Sequence, residues 1–230
     1  MSTWALDPTA VISEFLRYRM TDPRARAEAT DTDTFSGTGA SQILTLTPET
    51  NYKVACINSV VVGVVTKIKW TDYIIDLQNN TITGTFTAGT DNIVVTYKTG
   101  TDNWIFPGLA KSWLTSAKYP RISIRQITET GRQVGNYTAP VHSKIHFQID
   151  IWVKDDYTYN DGTVKWGSDA LATYLGRKIV STFEDYNNDL YPLFWDFEIS
   201  SLRGAVWETD KETHHVIIDF YLNGISVGSN

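Results

Sequence analysis

The stretch that most constrains this chain is 143–153, SKIHFQIDIWV. Ile145, Phe147, Ile149, Ile151 and Val153 alternate with Lys144, His146, Gln148, Asp150 and Trp152. A period of two over so long a run is the pattern of a strand with one buried face. A second alternating run, 214–225, sets Val216, Ile218, Phe220 and Leu222 against His215, Ile217, Asp219 and Tyr221. The two runs are expected to be neighbouring antiparallel strands. Between them, 168–186 carries Leu171, Leu175 and Ile179 at i, i+4 and i+8. Ala172, Gly176 and Val180 form the adjoining row, and Phe183 completes the face of an amphipathic helix. Ser168 and Asp169 suit its start. Gly176 in mid-helix costs up to ~1 kcal/mol against alanine, and a close approach of helix to sheet would offset that.

The N-terminal part adds a helix. Asp7 is positioned to cap and Pro8 to occupy the first turn, where its missing N–H costs nothing. Val11, Ile12, Phe15, Leu16 and Met20 follow at helical spacing. The next segment, 21–34, is polar, holds no β-branched aliphatic residue and is broken by Pro23. It reads as a solvated loop or linker, with Arg24 and Arg26 as candidate partner contacts.

Composition shifts at Phe35. Residues 35–100 are rich in Thr, Val, Ile and Gly, and read as a small all-β, sandwich-like domain inserted into an α+β domain made of 1–34 and 101–230. Its strands are expected at 42–47, 54–65 with a turn near Asn58-Ser59, 73–76, 81–86 and 92–98. Turns fall at 78–80, 88–91 and 98–100. Gly37 and Gly39 precede a strand rather than follow one, so they are not a phosphate loop.

The rest of the larger domain reads as a short helix at 109–115 and a strand at 121–128 opened by Pro120. Ile127 is out of phase there, which predicts a bulge or strand end near Gln126. Residues 129–140 form a long turn, either a plain hairpin loop or an excursion toward a partner. A loop at 157–165 follows the central strand. Residues 191–201 are extended, 202–204 turn, and 205–208 form another short strand. The fold class is α+β, with a mixed or mostly antiparallel sheet, a crossing helix and an N-terminal helix.

The bulk numbers narrow the function. The 230 residues suffice for one large core or two small ones. A formal net charge of −6 argues against a nucleic-acid binder, since phosphate attraction dominates such binding. Cys56 is the only cysteine, so the chain has no internal disulfide and no thiolate metal cluster. The first residues, MSTWALDPTAV, lack the basic and apolar segments of a signal peptide, and no run of eighteen apolar residues exists. A soluble protein is expected. Eight Trp, twelve Tyr and nine Phe are a heavy aromatic load, and some of these rings suit subunit contacts.

Catalytic chemistry finds little support. His142, His146, His214 and His215 have no cysteine or aspartate at zinc-ligand spacing, and His214 and His215 point to opposite sheet faces. On paired strands His146 and His214 could approach each other, and Asp150 and Asp219 could face each other and share a proton. The simpler account puts both aspartates on a partly solvated face. No Gly-x-Ser-x-Gly elbow is present. No enzyme, cofactor or metal is expected.

Two resemblances add a functional expectation. FSGTGASQILTL, NSVVVGVV and DYIIDLQNNTITGTFTAGTDNIVVTYK resemble a small β domain that recurs in structural proteins of tailed viruses. The succession of 8–20, Tyr119-Pro120-Arg121-Ile122, the loop 129–142, HFQIDIWVK, the helix 170–183 and HHVIIDFYLNG resembles tail-completion and tail-terminator proteins of tailed viruses, bacteriophage or archaeal. That resemblance covers about 130 residues, with FQIDIWVK and the helix after it the most specific part. It implies a hexameric ring that closes the head-proximal end of the tail tube and joins it to the neck. The implied partners are other copies of the chain, the tail-tube protein and a neck or head-completion protein. DNA is met only as it passes through the channel, and no membrane is involved. The implied location is the virion, after assembly in the host cytoplasm. The polar alternates Lys144, His146, Gln148, Asp150 and Trp152 then become candidates to meet a neighbouring subunit or line the pore, with Trp152 foremost. Arg132, Gln133, Asn136 and Tyr137 of the long loop are candidates to project along the channel. The inserted β domain departs from the smallest family members. The alternatives are another head–tail connector, neck or tail-tube-related component, or a carbohydrate-binding or adhesin-like module using the aromatic residues of 35–100.

Overall fold

The computed structural model describes residues 7–23, 28–48, 53–100, 104–108, 119–133, 141–154, 159–160, 165–191, 193–210 and 212–226. The chain is mostly β with two α-helices, an α+β protein with antiparallel and mixed sheets. It divides into two compact units, Met1–Arg24 with Trp104–Asn230, and Ala25–Asn103.

The smaller unit holds β1 (Glu28–Gly37), β2 (Ser41–Thr45), β3 (Lys53–Val62), β4 (Val65–Thr66), β5 (Tyr73–Asp76), β6 (Thr81–Thr85) and β7 (Gly89–Gly100). A four-stranded sheet has the order β1-β7-β3-β4 and a three-stranded sheet the order β2-β6-β5, antiparallel throughout. Ile57, Val60, Ile93, Val95 and Tyr97 of the first and Leu44, Tyr73, Ile75 and Ile82 of the second are buried, together with Phe86. The turn at 77–80 forms as expected: Asp76 accepts the amide hydrogens of Gln78 and Asn79, and Asn80 takes the left-handed backbone at φ 54°.

Several sequence expectations fail in this unit, among them the turn at 88–91, of which 89–91 lies in β7. Residues 28–34 are strand, not linker. Threonine supplies the β-branched content there, and β7 supplies the pairing that an isolated polar segment lacks. Asp33 fixes the strand by accepting hydrogen bonds from the Tyr97 hydroxyl at 2.9 Å and the Thr47 amide at 2.7 Å. Burial, then the hydrogen bond and charge of Asp33, hold the Tyr97 phenol well above its usual range. Asn58-Ser59 is not a turn: β3 runs through it with a register shift between Ile57 and Ser59. Lys98–Gly100 is likewise strand, paired with both β1 and β3.

The larger unit comprises α1 (Pro8–Arg19), β8 (Ile105–Pro107), β9 (Arg121–Gln133), β10 (Val141–Lys154), β11 (Tyr159–Asn160), β12 (Lys165–Trp166), α2 (Ser168–Tyr186), β13 (Phe194–Glu208) and β14 (Thr213–Ser226). Its main sheet has the order β13-β14-β10-β9-β8, with β8 parallel to β9 and every other pair antiparallel. The two alternating runs pair along their whole length, from Val141 opposite Ser226 to Lys154 opposite Thr213. The bulge expected near Gln126 is at Ile127, which has no partner between Gln126–Phe147 and Thr128–His146.

Both helices pack on the face formed by Ile122, Ile124, Ile145, Phe147, Ile149, Ile151, Val216, Ile218, Phe220 and Leu222. All ten of these side chains are buried. Asp7 caps α1 by accepting the Thr9 amide at 2.9 Å, and the Arg17 Nε donates to the Ile105 carbonyl at 2.9 Å, tying α1 to β8. Phe15 of α1 meets Phe183 of α2 at 5.2 Å between ring centroids. Gly176 marks the close approach of α2: a Cβ there would lie 3.1 Å from Val216 Cγ1 and 3.4 Å from Leu202 Cδ1. Gly176→Leu therefore overfills the seam. It is expected to lower stability by about 3 kcal/mol despite the better helix propensity of leucine, as measured by urea unfolding. A neutral result would show that α2 stands off the sheet.

Other expectations are revised. Residues 129–133 extend β9 rather than forming a turn. The 157–165 loop contains the short strand β11, paired with β12. The turn at 202–204 is a register shift within one continuous strand, β13, between Arg203 and Val206. The helix expected at 109–115 lies outside the described residues. Among the described residues, no helix is long and apolar enough to cross a membrane.

Candidate functional site

The face of the main sheet opposite the helices carries the polar alternates. Register places them in five rows across β13, β14, β10 and β9. The first row is Asp196, Asn223, Lys144 and Thr130; the second is Glu198, Tyr221, His146 and Thr128. Then come Ser201, Asp219, Gln148 and Arg125, followed by Arg203, Ile217, Asp150 and Ser123. Val206, His215, Trp152 and Arg121 form the last.

Cross-strand neighbours within and between these rows pair with each other. Lys144 Nζ lies 2.7 Å from Glu198 Oε2 and 4.3 Å from the centroid of the Tyr221 ring. The hydrogen bond to Glu198 raises its pKa most. His146 stacks on Tyr221 at 4.7 Å, with its Nε2 3.4 Å from Asp219 Oδ1. Asp219 also accepts from Ser201 Oγ at 2.9 Å and lies 3.4 Å from Arg203 Nη2.

Asp150 is the best-connected group and is only 1% exposed. Its Oδ2 accepts from Arg125 Nε at 3.0 Å and Nη2 at 2.9 Å. Its Oδ1 meets Gln148 Nε2 at 2.9 Å and His215 Nε2 at 3.0 Å. The other nitrogen of His215 lies 2.6 Å from Glu208 Oε1. Burial by itself pushes the Asp150 carboxyl upward. The His215 hydrogen bond, the Arg125 charge and the Gln148 hydrogen bond outweigh it and hold the carboxyl below its usual range. Trp152 stacks on His215 at 4.8 Å and lies under Arg121, whose guanidinium carbon is 4.9 Å from the ring.

The five residues expected on one face are therefore together, but engaged within the chain. Trp152, expected as the foremost contact, is only 7% exposed and is covered by its neighbours. Asp150 and Asp219 do not share a proton: they are offset by one pair and bind different cations. His146 and His214 are seven residue pairs apart along β10–β14 and on opposite faces. Arg132 and Gln133 stand on β9 opposite His142 and Val141. Arg24, Arg26, Asn136 and Tyr137 lie outside the described residues. Sequence reasoning missed Arg125, Ser201, Arg203 and Glu208. Their charge and hydroxyl chemistry was visible, but their register was not.

The chemistry of this face is ionic and aromatic. Asp150 is committed to Arg125 and His215, which leaves it no free lone pair directed at a substrate. Ser168 Oγ contacts His214 Nδ1 at 2.8 Å, but on the helix face, where the serine is buried at the start of α2 and pins that end to β14. Among the described residues, no group of three or more His, Cys, Asp or Glu side chains is placed to hold a metal ion. Comparison with protein-family models and with curated proteins finds no match to this chain.

Proposed function

We propose that this chain is a structural virion protein that closes the head-proximal end of a viral tail tube as a ring and joins it to the neck. The observation that carries the reading is the outer face of the main sheet: a broad plate of mutually paired charged and aromatic side chains, with both helices on the other side. Such a plate suits packing against another flat surface. The succession of α1, β9, β10, α2 and β14 supports the same reading through its resemblance to tail-completion proteins. In this reading the small all-β unit, inserted between α1 and β8, decorates the ring or reaches toward the neck.

Another connector, neck or tail-tube-related role shares these features and is separated from this one by position in the particle. The adhesin-like reading is weaker. Among the described residues of the small unit, Trp70, Tyr73, Phe86 and Tyr97 are buried and Phe35 is half-buried, so an exposed row of rings for stacking on sugars is missing there. The test is a cryo-EM map of the intact virion with this chain located. The expected result is one closed hexameric ring between tail tube and neck. A dodecameric neck ring, or copies along the tail, would overturn the proposal.

A further inference from the structure

The main sheet has two open edges. On one side β13 is the edge strand along its full length, 15 residues from Phe194 to Glu208. Edge strands are commonly blunted by lysine or proline. β13 contains neither, although it is bulged at three places. It carries part-exposed Trp195, Leu202 and Trp207, the latter two on the helix face, and Val206, 61% exposed, on the opposite face. On the other side, β8 covers β9 only from Ile122 to Ile124. Arg125–Gln133 is left without an outer neighbour among the described strands, and its bulged Ile127 is exposed.

The pairing registers place these two edges height for height. Following the rows across the sheet, Leu202 stands level with Pro107 of β8, Arg203 with Phe106, and Val206 with Arg121, one pair beyond Ile105. The stretch of β13 from Leu202 to Val206 thus spans the height of the strand Ile105-Phe106-Pro107. Further along, Asp196 and Glu198 stand level with Thr130 and Thr128, in a stretch holding Arg125, Arg132 and one acid, Glu129. Glu198 is already paired with Lys144 and Arg125 with Asp150 inside the chain, so the two edges match here in height rather than in charge. Strand direction agrees as well. β13 runs opposite to β9, so the next copy's β9, carried round a ring axis, arrives antiparallel to β13, as in the rest of the sheet. A closed ring has no rise between copies, so with the strands along its axis, equal heights meet.

We infer that the partner of the β13 edge is the β8–β9 edge of a second copy of this chain, so that the sheet continues from subunit to subunit around the ring. This inference rests on the ring proposed above. The covered face of the plate then remains a separate surface, and the subunit joint is made by backbone pairing together with Leu202, Val206 and Ile127.

A disulfide distinguishes this joint from contacts inside one chain. Glu198 and Thr128 occupy one row but are separated by β14 and β10, three strand spacings or about 14 Å. That is well beyond disulfide reach. The native cysteine, Cys56, is buried. The full chain carrying Glu198→Cys and Thr128→Cys, oxidised and run on a non-reducing denaturing gel, is expected to give a ladder of covalent oligomers. In parallel, Val206→Lys is expected to raise the dissociation constant of the ring, read by light scattering, about tenfold, with an unchanged melting profile. A ring that persists in Val206→Lys and forms no cross-link would overturn the joint while leaving the ring itself standing. Covalent dimers from Glu198→Cys alone would overturn it in favour of two-fold β13 pairing. A monomeric wild-type chain would overturn both the joint and the ring.

Discussion

Phe220→Ala is expected to cost about 4 kcal/mol, the largest single effect in the larger unit. Phe220 is fully buried on the helix face of β14. Its ring lies 5.3 Å from Phe147 on β10, 5.1 Å from Phe183 on α2 and 5.6 Å from Phe197 on β13. Phe183 also stacks on Phe197 at 4.6 Å and meets Phe15 of α1 at 5.2 Å. One ring therefore joins three strands and α2, and through Phe183 it reaches α1. Truncation removes the transfer energy of the ring and leaves a cavity that its three ring neighbours cannot close. The midpoint of thermal unfolding, followed by tryptophan fluorescence, should fall by roughly 10 °C. A loss below about 1 kcal/mol would mean that the cluster is not packed as described. Because single domains hold only about 5–15 kcal/mol in total, this variant tests whether the larger unit survives with its helices detached from the sheet.

The same cluster shows what was readable in advance. Phe147, Phe183 and Phe220 each announce themselves by position. Two fall on the apolar phase of an alternating strand, and the third on the apolar stripe of a helix. Burial imposes those periods, so burial can be read back from them. Gly176 was readable for the same reason: a glycine in the buried stripe of an otherwise strong helix implies a close neighbour, and Val216 is that neighbour. β1 was not readable, because what makes residues 28–34 a strand lies in β7, outside the segment. Asp31 and Asp33 lower its intrinsic preference, and only pairing restores it. The bulges of β13 mimic a turn at Arg203-Gly204 because glycine serves both.

The outer face was half readable. Alternation assigns Lys144, His146, Gln148, Asp150 and Trp152 to one side, and His215, Asp219 and Tyr221 to the same side of the partner strand once pairing is assumed. Which groups touch depends on register, and register is a property of two strands rather than one. A shift of two residues would have paired Asp150 with Asp219 across the sheet. The observed register instead sets Asp150 opposite Ile217 and brings Arg125, Gln148 and His215 around it. The difference replaces a facing carboxylate pair with an ionic cluster of Asp150, Arg125, Gln148 and His215.

That cluster carries the second large effect. Asp150→Ala is expected to cost about 3 kcal/mol near neutral pH, because it leaves Arg125 and His215 facing a vacated, buried position. Asp150→Asn retains the shape and should cost less, but it removes the charge that the cluster stabilises. The pH dependence separates the two effects. The folded carboxyl titrates below its unfolded value, which is about 3.9 for an aspartate. Its contribution is therefore fully present above about pH 4 and is lost as pH falls through the folded value. The wild-type chain should lose stability as pH falls below about 4, and Asp150→Asn should lose less. The gap between the two in chemical-denaturant midpoints should thus be widest near neutrality and close at the acid end. A gap that stays constant with pH would mean that Asp150 contributes by shape alone, and that Arg125 and His215 do not bind its charge.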